Sequence, residues 1–527
     1  MIAEPHSRAS KSPEPGRGVH RGRLAIGAIA LGVVASVSVA VATRPPAPGI
    51  TGDSFFYIGG ANSLLKSGKL AYPDWEWSSA DTIQPMTRIT PALSLALAGL
   101  MSAGVSEIVA ARTVQSISAG VTVGLAALLV GDLAGLTAGM MTALTILVLP
   151  AFQGVHLYVL TEPLFLAWAL VAMWTLISRG SATLAGIAFL AATMTRYVGV
   201  SLAAGAALAL LVGRGDLKTK ILRAIAVVGP SGLFFVGWRY WTAQAAGAQP
   251  IKAQGLFPLG DEPAHAARAL ATWIVPGSMP ALRLLQVVAM VGCAVAVLVG
   301  MRMRSKPDVP QRARRDGDAF GRARALTAAV LTMTTCYWAF VVLAHVLAEP
   351  TIEFRERMLL PTFVLGQLWI GAVVAPRIRG RWAQGFGLVA LTIWLAVTAR
   401  VALARVAAER RVGLELASER YRTSPTLRWL STNARERLVY TNHPLAVYHH
   451  ARRPAKFWPK VVPPDSAETL ARRMAAGALV VAFQTPDAWT AVAPTHELAS
   501  AVPLRAVATF DDAVVYALAR ARFTSAP

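Results

Sequence analysis

The chain has 527 residues, of which 55% are hydrophobic and only 15% charged, and its formal net charge is +23. A soluble globular protein carries roughly 25% charged residues, so the composition excludes an ordinary soluble domain and points to a chain whose main partner is the lipid bilayer. The positive charge does not indicate nucleic acid, because the basic residues are dispersed over loops between apolar runs instead of being gathered on one soluble face.

Residues 1–23 form a basic, Pro/Ser/Gly-rich stretch with Arg8, Lys11, Arg17, Arg21 and Arg23, expected to be a disordered cytoplasmic tail. The first apolar run, 24–43, is free of charge over about the 20 residues that a membrane-crossing helix needs. A basic region followed by an apolar run and Ala40-Val41-Ala42 also fits a cleaved signal peptide. Such signals have a core of roughly 7–15 residues, shorter than this run, and many more runs follow, so a retained helix is expected. Further spans are read at 107–130, 134–153, 159–178, 183–195, 198–213, 221–242, 279–301, 325–347, 358–376 and 384–403, about 11 in all with the first. Residues 91–103 are apolar over only half that length and read as an interfacial or re-entrant helix. Cys293 and Cys336 both sit in apolar runs and supply neither a disulfide framework nor a metal motif.

With the amino terminus inside, the internal loops hold Arg179, then Arg214, Lys218, Lys220 and Arg223, then the cluster from Arg302 to Arg324, then Arg377, Arg379 and Arg381. The short external loops are poor in basic residues, as the positive-inside rule requires. Counting 91–103 as a full span would place the cluster after Met301 outside. An odd number of spans puts the carboxyl terminus outside. From about residue 405 the composition changes to mixed charge with short strand-like runs at 438–440, 478–483 and 513–517 and a helical pattern at 466–476. The fold class predicted is an all-α polytopic membrane domain over 24–403 with juxtamembrane helices, followed by a small external α/β domain over 405–527.

An ionisable group at or within a membrane needs a partner or a task. Asp53, in Thr51-Gly52-Asp53-Ser54-Phe55-Phe56-Tyr57, stands at the outer mouth of the first span, before an aromatic stretch with Tyr72, Trp75 and Trp77. A helix cap by Asp53 or Ser54 is the alternative. Glu162 stands at the next external turn, where it either complements a helix dipole or joins Asp53 in a general-base or metal site. Arg196 interrupts an apolar stretch at its outer turn, and snorkelling would account for it equally. Arg355 and Arg357 suit a phosphate through their guanidinium forks, unless Glu353 and Glu356 absorb them. His443, His449 and His450 read as surface histidines of the tail domain, since adjacent histidines rarely point at one metal. No Walker loop, dinucleotide fingerprint or zinc-protease motif is present.

In order and sidedness these pieces resemble the glycosyltransferase C superfamily, the multi-span enzymes that include protein mannosyltransferases and the lipid A aminoarabinose transferase. The resemblance covers roughly residues 24–403. It rests on Gly52-Asp53-Ser54-Phe55-Phe56-Tyr57, the Pro91-led half-helix, Ala111-Arg112, Pro150, Thr161-Glu162-Pro163-Leu164-Phe165, Thr195-Arg196-Tyr197 and Arg357-Met358-Leu359-Leu360-Pro361. It implies that Asp53 is the essential first-loop aspartate and Glu162 the second-loop acid. It also implies that Arg196 with Arg355 or Arg357 holds the lipid phosphate. The family often has a second acid beside the first-loop aspartate where this chain has Ser54, which leaves a divalent metal, Mg or Mn, as an open cofactor. The implied reaction is inverting transfer of a sugar from a polyprenyl-phosphate donor to a hydroxyl of an envelope glycan, lipid or protein acceptor, at the outer face of the inner (plasma) membrane. A lipid or polysaccharide transporter or polymerase, or an inactive scaffold of the same fold, is the alternative. A transporter places its ionisable or broken-helix features near mid-membrane, whereas the charges here lie at the external ends.

Overall fold

The computed structural model describes residues 17–46, 48–77, 83–213, 215–245, 256–274, 317–347, 352–378, 381–434, 437–484 and 492–519. The expected span at 279–301, Cys293 and the basic residues Arg302 to Arg315 lie outside these residues. The first helix, α1 (Arg17–Ala42), begins ahead of the apolar run. Then come α2 (Gly52–Ser67), a small hairpin of β1 (Ala71–Pro73) and β2 (Ile83–Pro85), α3 (Ala92–Ser102) and α4 (Glu107–Ala134). The helices α5 (Leu136–Val148), α6 (Pro150–His156), α7 (Glu162–Ile177), α8 (Ala182–Thr195), α9 (Gly199–Val212) and α10 (Leu217–Ala245) follow. After the short α11 (Glu262–Ile274) stand α12 (Gly317–Leu347), α13 (Glu356–Trp369) and α14 (Arg381–Val412).

Among the described residues, six helices are long and apolar enough to cross a membrane, or seven when α5 and α6 count as one bent span. The run at 134–153, expected to be a single span, is broken by 61° between α5 and α6. Pro150 has no N–H to donate back to the preceding turn, so α5 stops before it and α6 restarts with Pro150 as its first residue. The helices α7, α8 and α9 have only 16, 14 and 14 residues, shorter than a full span. The half-helix read at 91–103 is present as α3, with 11 residues. α14 runs on to Val412, past residue 405. Its flank carries exposed Phe386, Leu388, Val389 and Ile393, as a surface facing lipid would.

α1 and α4 pack through glycines. A Cβ on Gly32 would lie 2.9 Å from the Gly120 carbonyl oxygen, and one on Gly124 would lie 3.3 Å from the Ala28 oxygen. Small residues of this kind let membrane helices approach closely, and the approach fixes where the end of α1 delivers the chain into the first loop.

After α14, short helices at Glu419–Arg422 and Pro425–Asn433 lead into a five-stranded mixed sheet. Its strands are β3 (Val439–Thr441), β4 (Ala455–Lys456), β5 (Leu479–Phe483), β6 (Leu504–Thr509) and β7 (Ala513–Leu518), in the order β4-β3-β5-β7-β6. β3 is parallel to β4 and β5, and β7 is antiparallel to β5 and β6. Three of these strands and the helix Pro464–Ala475 coincide with the patterns read in the tail. The domain is not a separate appendage. Ile50, Phe55 and Phe56 of the first-loop region, Leu93 and Leu97 of α3, and Leu427, Val439, Leu445 and Val515 of the tail share one buried apolar cluster.

The three histidines are not freely exposed: His443 is buried, and His449 and His450 are half-buried. The apolar turn Pro444-Leu445-Ala446-Val447 is buried and draws the following π-turn, Val447–Ala451, against the rest of the domain. His443 is buried with its Nε2 2.6 Å from the Tyr421 hydroxyl, and His450 lies 2.6 Å from the Leu416 carbonyl. Burial, reinforced by neighbouring His450 and Arg452 and opposed by Glu107, lowers the His449 imidazole to about 4. In the unfolded chain it takes a proton near 6.5. Its contribution to stability is therefore complete above about pH 6.5 and is lost as the pH falls through 4. Thermal unfolding of the purified protein, followed by tryptophan fluorescence, is expected to show a lower Tm at pH 5 than at pH 7.5, and the difference should shrink in H449Q.

Candidate active site

Thr51 caps α2, and the cap explains why Asp53 is free for other work. The Thr51 side chain accepts from the Ser54 N–H, and the Ser54 hydroxyl accepts from the Thr51 N–H at 3.0 Å, a reciprocal capping box. The same Ser54 hydroxyl donates to the Val159 carbonyl at 2.8 Å, and Ser54 is fully buried. It thereby ties the first loop to the turn before α7. A backbone bridge runs beside it, with Gly49 N–H donating to Leu157 O at 2.8 Å and Val159 N–H to Gly49 O at 3.0 Å. Glycine is required at 49, since a Cβ there would lie 2.8 Å from Cβ of Leu414.

Glu162 opens α7, at the end of a turn that Gln115 holds by donating to Leu160 O at 2.9 Å. Glu162 is 2% exposed. Arg196 follows the last residue of α8 in extended conformation and pairs with Glu162. It also lies 3.3 Å from the Thr161 hydroxyl and 3.3 Å from Sδ of Met358. Arg357, in the first turn of α13, reaches the same Glu162 oxygen with Nε at 2.5 Å and the Asp53 carboxylate with Nη2 at 2.7 Å. Four residues read separately in the sequence thus form one chain, Asp53–Arg357–Glu162–Arg196, with Glu162 and Arg196 inside and Asp53 and Arg357 near 40% exposure at its open end. The two carboxylates and two guanidiniums balance in formal charge.

The structure does not bring Arg355 into this chain. Its Nε pairs with Glu353 at 2.9 Å, with both side chains exposed. Glu356 turns the other way, to the Thr272 hydroxyl at 3.1 Å and toward Arg405.

Supporting groups escaped the sequence reading. Tyr337 donates to Met358 O at 2.6 Å, Thr90 to Thr195 O at 2.7 Å, and the Tyr57 hydroxyl lies 3.4 Å from that of Thr161. Burial, followed by the nearby Asp53 and Glu162 carboxylates, raises the Tyr57 phenol above its ordinary value, so it stays protonated. The amphipathic α11 was also missed, because a search for span-length runs passes over a 13-residue helix. Its Trp273 ring lies 4.9 Å from that of Phe363, and Glu262 accepts the Phe354 N–H at 2.5 Å, bracing the approach to Arg357.

For a divalent metal, the donor set is two carboxylates with the Arg357 guanidinium between them. Among the described residues no group of three or more His, Cys, Asp or Glu side chains could hold an ion. A cation here would have to displace Arg357.

No family model matches the sequence, and no curated protein matches it. Solved structures do. The arabinofuranosyltransferase AftD from Mycobacteria aligns over 93% of this chain and 40% of its own, at 15% identity and a TM-score of 0.55. The archaeal oligosaccharyltransferase AglB from Archaeoglobus fulgidus, solved with an inhibitory peptide and a dolichol-phosphate, aligns over 87% of this chain and 69% of its own, at 12% identity and a TM-score of 0.50. The chain has the glycosyltransferase C fold. It spans about two-fifths of the length of AftD. ArnT from Cupriavidus metallidurans, bound to undecaprenyl phosphate, aligns over 94% of this chain at 14% identity with a TM-score of 0.44, too low to speak to the fold. Ser54, at the position where the sequence resemblance led us to expect a second acid, is a structural hydroxyl. An aspartate there would turn a carboxylate onto the Val159 carbonyl. Ser54→Ala is expected to cost about 1–2 kcal/mol through the unpaired carbonyl and Ser54→Asp more, as read by Tm of the purified variants.

Proposed function

We propose that the protein is a membrane glycosyltransferase that moves a sugar from a polyprenyl-phosphate carrier to an acceptor hydroxyl at the outer face of the plasma membrane, with inversion at the anomeric carbon. The observation that carries this reading is the ion-paired chain Asp53–Arg357–Glu162–Arg196, assembled from four separate elements of a glycosyltransferase C fold. The dolichol-phosphate bound to AglB and the sugar-transferring name of AftD support a lipid-linked donor. The amino terminus lies in the cytoplasm and the tail domain outside, with an envelope glycan, lipid or protein as acceptor.

In the proposed step the acceptor oxygen attacks the anomeric carbon while Asp53 takes its proton. The bond from that carbon to the phosphate oxygen breaks, and the electron pair leaves with the polyprenyl phosphate. Arg357 and Arg196 stabilise the charge on the leaving phosphate. Glu162 holds both guanidiniums at one place and is too enclosed to serve as the base. As a phosphate engages Arg357, the guanidinium is drawn from Asp53, which leaves that carboxylate free to accept a proton. No step is assigned to a metal, and a magnesium or manganese ion would compete with Arg357 for the two carboxylates. The charges stand at helix ends, which suits surface chemistry better than transport through the bilayer.

Asp53→Asn is expected to lower transfer of labelled sugar from polyprenyl phosphate in isolated membranes by at least about 100-fold, with Tm unchanged to within a few degrees. Full transferase activity in D53N would remove Asp53 as the base.

A further inference from the structure

The segment that follows β3 lies along α2, the helix whose first turn carries Asp53. Leu445 stands against Gly52, where an added Cβ would meet its Cδ1 at 3.8 Å. The Tyr448 ring packs edge-on against Phe55, with centroids 4.7 Å apart. Beyond the π-turn, Arg452 grips Glu107 with both terminal nitrogens, Nη1 reaching Oε2 at 3.3 Å. Glu107 opens α4, and its Oε2 also accepts from Nδ2 of Asn62 on α2 at 3.3 Å. Residues 445–452 therefore follow α2 from residue 52 to residue 62, about 15 Å along its axis.

An exposed ion pair is worth little, but this one differs in three respects. The Glu107 side chain is only 13% exposed and receives three donors in all, two from Arg452 and one from α2. Arg452 adopts a left-handed backbone, φ 55°, that a residue with a Cβ disfavours, and this turn aims its guanidinium at Glu107. Moreover, Gly52 and Phe55 lie within two residues of Asp53, so the segment holds α2 in the same turn that carries the carboxylate.

We infer that Arg452 is a positioning residue for Asp53: through Glu107 and Asn62 it locks the external domain to α2 and thereby fixes where the carboxylate stands relative to Arg357. The catalytic half of this statement rests on the proposed role of Asp53; the mechanical half does not. Two readouts on the full chain in lipid nanodiscs separate them: amide hydrogen exchange across residues 52–67, and steady-state sugar transfer. In R452M, exchange of α2 should quicken at least threefold and kcat should fall about tenfold, with KM for the lipid-linked donor changed less than twofold. R452K should recover part of both, and the charge-swapped R452E/E107R pair should recover more than either single change. A merely structural contribution would lower Tm and the yield of active protein without quickening α2 selectively or being rescued by the swap, and that outcome overturns the inference. So does unchanged α2 exchange in R452M. If α2 exchange responds as expected while the wild type transfers no sugar, the coupling stands and the proposed activity falls.

Discussion

A carboxylate sealed from water stays charged only if the charge is met on the spot, and Glu162 imposes that demand on its surroundings. Its 2% exposure means that breaking its pairing would leave an uncompensated charge, a change that costs about 3–5 kcal/mol for buried pairs of this kind. Two guanidiniums answer it from different directions, Arg196 from the end of α8 and Arg357 from the start of α13. The need to bring both to one oxygen sets the ends of three helices at one level. Asp53 joins the same arrangement from the open side, because the free arm of Arg357 is within 2.7 Å of it. An electrostatic demand inside the protein thus organises the surface at which chemistry is proposed.

Hydroxyls and glycines carry this arrangement back to the helix packing. The α1–α4 glycine contacts deliver the chain to Gly49, whose missing side chain permits the bridge to the turn before α7, and Ser54 closes the join. The tail domain adds a second constraint from outside. Its buried Lys456 lies 3.5 Å from Asp74, and Phe457 N–H donates to Trp75 O, so the first loop is clasped at 74–75 as well as along α2. A loop held at both ends by different parts of the chain is a rigid support for a carboxylate, whereas a loop held only by its own turns is not.

Much of the plan was legible in the sequence. Uninterrupted apolar runs gave helices wherever their position is described, because lipid leaves the backbone no other way to satisfy its hydrogen bonds. Asp53, Glu162, Arg196 and Arg357 were legible for a related reason: an ionisable group at a membrane surface stands out against its neighbours. What could not be read was which partner each would choose. Arg355 and Arg357 are only two positions apart, yet one faces Glu353 and the other Glu162, a difference set by the turn entering α13. The break at Pro150 was missed because hydropathy records composition and not a lost N–H. The histidines read as surface residues in the sequence because their enclosure is decided by the apolar turn that lies between His443 and the adjacent pair and by the helix that carries Tyr421, neither of which adjacent histidines reveal.

The central claim is that the two arginines gathered by Glu162 form the seat of a lipid phosphate. Binding of a polyprenyl phosphate to the purified protein in nanodiscs, compared between the wild type and the Arg357→Met and Arg196→Met variants of verified fold, tests it most directly. The account predicts that each variant weakens binding at least about tenfold, the loss of one charge-assisted contact. Undiminished binding in both would contradict it.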